Sequence, residues 1–272
     1  MAKNWFITGV SRGFGRLWAE AALERGDSVA ATARDIETLA PLVEKYGDRI
    51  LPIALDVNDR AAGFAAVQAA HKKFGRLDIV INNAGYGQFG AIEELSEAEA
   101  RGQFDTNLFG ALWITQAALP LLRAQKSGHI IQVSSIGGIV AFANVGIYNA
   151  SKWALEAFSE ALSQEVAPYN VHVTLVEPAA FATDWGGPSA KHATPLPAYE
   201  PARAARAGRL KTNPQAEPGG SVKAILKLVD AKEPPLRLLL GSSAVKLATM
   251  TYPKRLETWK AWEEVSNAAD KA

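Results

Sequence analysis

The chain has 272 residues, 48% of them hydrophobic, with four histidines, no cysteine and a formal net charge of +1. That length supplies a core without disulfide or metal staples, and the missing cysteines exclude thiol nucleophiles, CxxC redox pairs and cysteine-bound zinc. No metal is expected, and the balanced charge leaves no electrostatic footprint for nucleic acid or an acidic membrane.

The N-terminal MAKNWFITGV runs straight into a strand-like WFIT. Its apolar run is too short for a signal-peptide core, and no small-residue cleavage site follows. The longest apolar stretch, 110–122, is interrupted by Gln116 and Pro120 and falls short of the ~18 apolar residues a membrane helix needs. The expectation is a soluble, cytoplasmic protein, in which the sequon Asn149-Ala150-Ser151 is a chance match.

Short apolar runs at 5–8, 28–33, 50–55, 79–82, 129–133, 172–177 and 236–240 read as strands. Segments with helical periodicity, such as 16–25 and 61–74, separate them. Strands apolar on both faces with helices between them imply a parallel sheet covered on both sides. The fold class is therefore α/β: a single Rossmann-like domain, a doubly wound sheet of about seven strands, with ligands beyond the strands' carboxyl ends. Residues 184–220 break the rhythm with six prolines, at 188, 195, 197, 201, 214 and 218. So long an irregular insertion reads as a substrate lid containing short helices. The tail, 252–272, reads as a polar helix around KRLETWKAWEEV.

WFITGVSRGFG, residues 5–15, is strand, glycine turn and helix. Gly9 permits the turn, Gly13 lets backbone approach a pyrophosphate, and Gly15 allows close helix–strand packing. The phosphates would lie at the helix N-terminus, on open N–H groups and the positive end of the helix dipole. The spacing is TGxxxGxG rather than GxGxxG. The same residues also spell GxSxG, the nucleophile elbow of hydrolases, around Ser11. That reading lacks an upstream loop for the second oxyanion donor and a plausible base: His129 and His172 begin strands, His71 looks like an exposed helix position, and His192 sits in the insertion.

Tyr148 and Lys152, in GIYNASK, are one helical turn apart. A free phenol, with a pKa of about 10, is a poor base near neutrality. A cation about 4 Å away is worth up to ~4 kcal/mol at an effective dielectric near 20, roughly three pKa units. Such a pair could do acid–base work usually given to histidine. Ser135 lies thirteen residues upstream at the carboxyl end of a buried-type strand. NNAG (82–85) ends the previous strand, and Asn107 falls in the helix-forming segment after it.

With TGVSRGFG, ALDV, NNAG, Asn107, Ser135, YNASK and 178–183 in this order and spacing, the chain resembles the short-chain dehydrogenase/reductases over residues 4–183, and more loosely to the last strand. The resemblance implies an oxidoreductase moving a hydride between a nicotinamide and a carbonyl or secondary alcohol. Tyr148 is then the acid–base residue, Lys152 lowers its pKa and holds the nicotinamide ribose, Ser135 polarises the substrate oxygen, and Asn107 anchors a water linking the lysine to solvent. The glycine turn, with Ser11, Arg12 and Phe14 among Gly9, Gly13 and Gly15, holds the cofactor's phosphates. Asp56 and Val57 flank the adenine, and Asn83, Ala84 and Gly85 wall the channel. Phe181 offers backbone and Thr183 its hydroxyl to the nicotinamide amide. Pro178-Ala179 stands where the family has Pro-Gly, which puts the local turn geometry in question.

NAD-preferring members carry aspartate at the end of the second strand; here that place is Ala33, followed by Arg34, with Arg12 in the turn. Two guanidiniums suit a 2′-phosphate, so NADP(H) is the expected cofactor; Asp35 competes but lies two positions too far along. Tyr86, Ile136, Phe142, Val145, Phe181, Trp185 and Tyr199 suggest a pocket for an apolar or aromatic substrate. Lys191, Arg203, Arg206, Arg209 and Lys211 read as a solvated basic face of the insertion rather than a carboxylate grip. Two rivals stand beside this reading: a nucleotide sensor without turnover, which would typically have lost Ser135, Tyr148 or Lys152, and a reductase acting on an enone. Relatives commonly pair through the helices from about Asn107 and Tyr148, implying a homodimer or homotetramer.

Overall fold

The computed structural model describes residues 2–212 and 215–270. The side chains of Arg209 and Lys211, residue Pro214 and the last two residues of the tail lie outside the described residues.

In chain order the described elements are β1 (Asn4–Ile7), α1 (Gly13–Glu24), β2 (Ser28–Ala33), α2 (Ala40–Tyr46), β3 (Ile50–Ala54), α3 (Arg60–Phe74), β4 (Ile79–Asn82), β5 (Gln88–Phe89), α4 (Glu97–Phe104) and α5 (Gly110–Gln125). There follow β6 (Gly128–Val133), α6 (Gly146–Val166), β7 (Val171–Pro178), β8 (Lys191–His192), α7 (Glu200–Thr212), α8 (Ser221–Asp230), β9 (Arg237–Leu240), α9 (Ser242–Ala261) and α10 (Glu263–Ala268). Seven strands form one parallel sheet in the order β3-β2-β1-β4-β6-β7-β9. The order reverses between β1 and β4, and a crevice opens at the carboxyl ends there.

Side chains alternate along each strand, so the sheet feeds two cores. Trp5 and Ile7 of β1 pack with Trp18, Leu42 and Ile225 from α1, α2 and α8. Phe6 between them faces Val67, Ile114 and Leu162 from α3, α5 and α6. Trp5, Phe6 and Ile7 are wholly buried, and each such side chain contributes about 1.5–3 kcal/mol. This double burial is why the strands are apolar throughout.

The insertion is more ordered than a loose loop. It holds one long helix, α7, and short 3₁₀ turns at Asp184–Gly186, Pro197–Tyr199 and Pro218–Gly220. Gln88 and Phe89 pair with Lys191 and His192 in a separate two-stranded parallel sheet. Ala182 N donates to Ala216 O (2.9 Å) and Ala216 N to Ala180 O (3.0 Å), which ties the insertion's two ends together. Arg203 pairs with Glu94 at 2.5 Å and Glu200 at 3.1 Å and donates to Leu196 O, so this cation is consumed structurally. Tyr199, an expected pocket residue, donates its hydroxyl to Glu93 at 2.5 Å, because it lies on the same outer seam. The C-terminal helix α9 starts at Ser242, ten residues before the polar tail read from sequence. Its first half is anchored by buried Ala244 and Ala248. Among the described residues no helix is long and apolar enough to cross a membrane.

Candidate active site

The glycine turn divides its work among three residues. Gly9 (φ +71°) and Gly13 (φ +60°) adopt backbone angles that side chains disfavour. A Cβ on Gly15 would lie 2.4 Å from Gly9 O and 2.5 Å from Asn83 Nδ2, whereas one on Gly13 meets nothing within 4 Å. Gly15 therefore serves packing, and Gly13 faces open space. Arg12 is the N-cap of α1 and makes no side-chain cap bond, so the helix's first N–H groups remain available to an anion.

A hydrogen-bond clasp that the sequence reading missed joins this turn to NNAG. Thr8 Oγ1 accepts from Asn83 N (2.9 Å) and Ala84 N (3.0 Å). Asn83 Nδ2 donates back to Thr8 O (2.9 Å) and Gly9 O (3.0 Å). The threonine of TGxxxG was itself the available signal. Asn107 is buried in a π-helical turn, Asp105–Phe109, between α4 and α5, not in a regular helix. It accepts from Tyr86 N (3.1 Å) and donates to Tyr86 O (3.1 Å) and Ser151 Oγ (3.2 Å), so it binds the channel wall to α6. Such π turns recur at functional sites.

Ser135 lies two residues past the end of β6, and its Oγ accepts from Gly137 N at 2.9 Å. Asn149 braces the same loop, donating to Gly137 O (3.0 Å) and accepting from Phe142 N (2.9 Å). Tyr148 and Lys152 lie on α6, both buried, with Nζ 5.9 Å from the Tyr148 ring centroid. Lys152 Nζ donates to Val133 O at 2.7 Å. Burial pushes the Tyr148 phenol up to about 12, against lowering influences from the Ser135 hydroxyl and Arg206. Burial also pushes Lys152 down to about 8. Desolvation is the largest influence on both groups, and the Lys152 ammonium is directed at a backbone carbonyl.

Around the crevice, Arg12 and Arg34 are exposed, and their guanidiniums make no hydrogen bond or ion pair among the described residues. Ala33 is buried at the end of β2, where its carbonyl accepts from Leu55 N (2.9 Å), and Asp35 instead accepts from Glu37 N. Asp56 is exposed and accepts from Asn58 N, while Val57 is buried against Gly110. Ala179 has no positive φ and donates its N–H to Leu240 O (3.0 Å), so alanine stands there without strain. Pro178 ends β7, Phe181 packs edge-on to Phe14 at 5.1 Å, and Thr183 Oγ1 accepts from Trp185 N. These residues fit a dinucleotide: open space at Gly13, an uncapped helix terminus and two unpaired guanidiniums.

On the substrate side, Trp185 lies over Tyr148 with ring centroids 4.8 Å apart and touches Phe89 at 5.3 Å. Arg206 stands over Phe89 at 5.3 Å, and Lys191 over Tyr86 at 4.4 Å. Ile136 and Phe142 pack with Ala244 and Ala248 of α9, and Val145 is buried at the N-cap of α6. No histidine attends Ser11: His129 bonds to Thr174 beside His172, His192 stacks on Phe89, and His71 lies near the end of α3. Among the described residues no cluster of side chains could hold a metal ion.

A crevice at the strand reversal, with an uncapped glycine turn on one side and a buried tyrosine and lysine on the other, defines a nucleotide-dependent oxidoreductase of Rossmann type. The short chain dehydrogenase family model matches residues 3–193, and the chain belongs to that family. Oxidoreductase BOA17 of Botryotinia fuckeliana is 44% identical over 99% of this chain and 100% of its own. A short-chain dehydrogenase structure from Streptomyces avermitilis superposes with a TM-score of 0.93 at 39% identity, covering 98% of both chains. A short chain dehydrogenase from Burkholderia cenocepacia, in complex with NADP, has a TM-score of 0.77 at 26% identity over 96% of this chain and 97% of its own. Family members hold NADP in some structures and NADH in others.

Proposed function

We propose that the chain is an NADP(H)-dependent carbonyl reductase, with Tyr148 as its acid–base residue and an apolar or aromatic ketone or aldehyde, or the matching alcohol, as substrate. The observation that carries this is the placement of the buried Tyr148 phenol beside Ser135, just past the carboxyl end of β6. A neutral phenol donates a proton to a carbonyl oxygen, and the Ser135 hydroxyl polarises that oxygen and stabilises charge developing on it. NADP(H), when bound, supplies or accepts the hydride. Lys152 holds the nicotinamide ribose, Gly9–Gly15 with Ser11 and Phe14 hold the phosphates, and Asp56 and Val57 bracket the adenine. Asn83 to Gly85 and Pro178 to Thr183 form the walls. Asn107 keeps the Tyr86 wall and α6 in register.

The preference for the phosphorylated cofactor is supported by Arg12 and Arg34, exposed and unpaired, and by the absence of a carboxylate at Ala33. The insertion acts as a lid whose Trp185 covers Tyr148.

The test is NADPH consumption with a panel of carbonyl compounds, beside Tyr148→Phe and the double variant Arg12→Ala/Arg34→Ala. Turnover that vanishes in Tyr148→Phe supports the assignment, and so does a preference for NADPH over NADH that the double variant loses. Binding of NADPH without turnover of any carbonyl or alcohol favours the sensor reading, and equal use of both cofactors refutes the NADP choice.

A further inference from the structure

Behind Lys152 lies a buried acidic pair that the catalytic reading leaves unused. Glu156 is the next residue on the same face of α6, one turn on. Glu177 projects from β7 and is wholly buried; Glu156 is 5% exposed. Both face Arg237 of β9, whose Nε is 3.0 Å from Glu156 Oε2 and 3.5 Å from Glu177 Oε1. The same guanidinium reaches outward to Glu160 at 2.7 Å. Ser134, the residue after β6, closes the cluster and acts on the Glu156 carboxyl, as Glu177 does.

Glu156 Oε1, both Glu177 oxygens and Ser134 Oγ are buried without a hydrogen bond of good geometry. Two ionised carboxylates facing each other here would leave those oxygens unpaired and repelling, with one guanidinium already divided among three acids. A proton between the two carboxyls relieves both penalties. Burial and the Glu156 charge accordingly push Glu177 up to about 8, and Glu156 is raised as well.

The cluster touches the active site through consecutive residues, Val133 at the end of β6 and Ser134 just after it. Lys152 Nζ is bonded to Val133 O, and Glu156 faces the hydroxyl of Ser134. The charged or titratable neighbours acting on Lys152 are Tyr148 and Glu156, both on α6, and Glu156 opposes the loss of its proton.

We propose that Glu156 is a positioning residue for the Lys152 ammonium: sharing one proton with Glu177, it keeps a single negative charge one helical turn from Lys152 and so holds that lysine protonated. Glu177 serves as the proton's seat, and Arg237 and Glu160 link the pair to solvent. A charge one helical turn away, at an effective dielectric near 20 and offset in part by the Arg237 guanidinium 3.0 Å from Glu156 Oε2, moves the lysine by about one pH unit. Its effect on turnover rests on the reductase reading; the charge relation itself does not.

The test titrates Lys152 directly, by NMR of the full chain carrying [13C]lysine, with the signal assigned by its loss in Lys152→Met. Glu156→Gln should lower the Lys152 midpoint by about one pH unit, whereas Glu177→Gln should leave it in place or raise it. Infrared spectra at neutral pH should show a protonated carboxyl that Glu177→Gln removes. A Lys152 midpoint unmoved in Glu156→Gln overturns the proposal, and so does a wild type with no protonated carboxyl at neutral pH. Should Glu156→Gln not fold, Glu177→Gln decides: a lysine midpoint that falls there overturns the assignment, and one that holds or rises supports it. In the reductase, the alkaline limb of kcat/KM should follow the lysine downward in Glu156→Gln. If no carbonyl compound is reduced, the reductase reading fails while the lysine titration still decides the charge relation.

Discussion

Gly13 and Gly15 are two residues apart, yet alanine at each should fail differently. At Gly15 the new Cβ would sit 2.4 Å from Gly9 O and 2.5 Å from Asn83 Nδ2. Neither can retreat cheaply: the first is backbone, and the second is tied to Thr8 O and Gly9 O. Overpacking of this kind costs about 1–3 kcal/mol, and each Asn83 bond lost adds about 0.5–1.5 kcal/mol. Improved helix propensity returns at most about 1 kcal/mol. The net loss is about 1–3 kcal/mol, or roughly 2–5 °C in Tm for a domain of this size. At Gly13 nothing lies within 4 Å, and only φ +60° opposes a side chain, at a cost of about 1 kcal/mol. Gly13→Ala should therefore melt within a few degrees of wild type while losing NADPH affinity, because its methyl enters the phosphate approach. Gly15→Ala should lose both. Melting curves with and without NADPH, read beside fluorescence titration of NADPH, separate the two. A Gly15→Ala protein that melts at or above wild type refutes the packing argument, and so does a Gly13→Ala protein less stable than Gly15→Ala.

His129 is held neutral by burial, its pKa pushed down to about 3, while the unfolded chain takes a proton near 6.5. The unfolded state binds the extra proton between those values, so stability should fall as pH drops from about 6.5 toward 3. His129→Gln, which keeps a donor for Thr174, should flatten that decline in urea midpoints; an unchanged slope counts against it. Trp185→Ala should uncover Tyr148 and return its phenol toward 10, since burial is the largest cause of its shift. Ultraviolet tyrosinate titration, with Tyr148→Phe subtracted, reads this, and KM for an aromatic ketone should rise; an unmoved phenol would sink the covering role of the lid.

Most of the sheet was legible because both its faces are buried. Residues 28–33 and 79–82 were bounded as observed, and the other five strands to within one residue at each end. Continuous apolar runs between polar helices leave little ambiguity. The pairing of Gln88–Phe89 with Lys191–His192 was not legible, since two residues on each side, a hundred apart, carry no periodicity. The same distance hid the attachment of Arg203 and Tyr199 to Glu94 and Glu93. Glu177 did leave a trace, a carboxylate at the end of the apolar run HVTLVE. What it meets there, Glu156 and Arg237, comes from two other elements and needed the fold. Spacing gave Tyr148 its neighbour Lys152, but not the burial of both side chains, which comes from elements packed around α6.

Burial moves the two central groups oppositely, and on the proposed reading this sets a different pH dependence for reduction and for oxidation. The phenol at about 12 is protonated across the physiological range, whereas the lysine at about 8 stands near its limit. At pH 8 only about one Tyr148 in ten thousand is a phenolate, the form that alcohol oxidation requires as base. Carbonyl reduction needs the neutral phenol, which is already present. If Lys152 holds the nicotinamide ribose as proposed, reduction should be level in kcat/KM through neutrality and fall as pH rises through about 8, where the lysine loses its proton. Oxidation should instead climb with pH until that same limb. Parallel profiles in NADPH and NADP⁺, each with a matched ketone and alcohol, measure both. A reduction profile that persists undiminished beyond pH 10 would show that Lys152 titrates near its ordinary value, and that desolvation does not govern this pair.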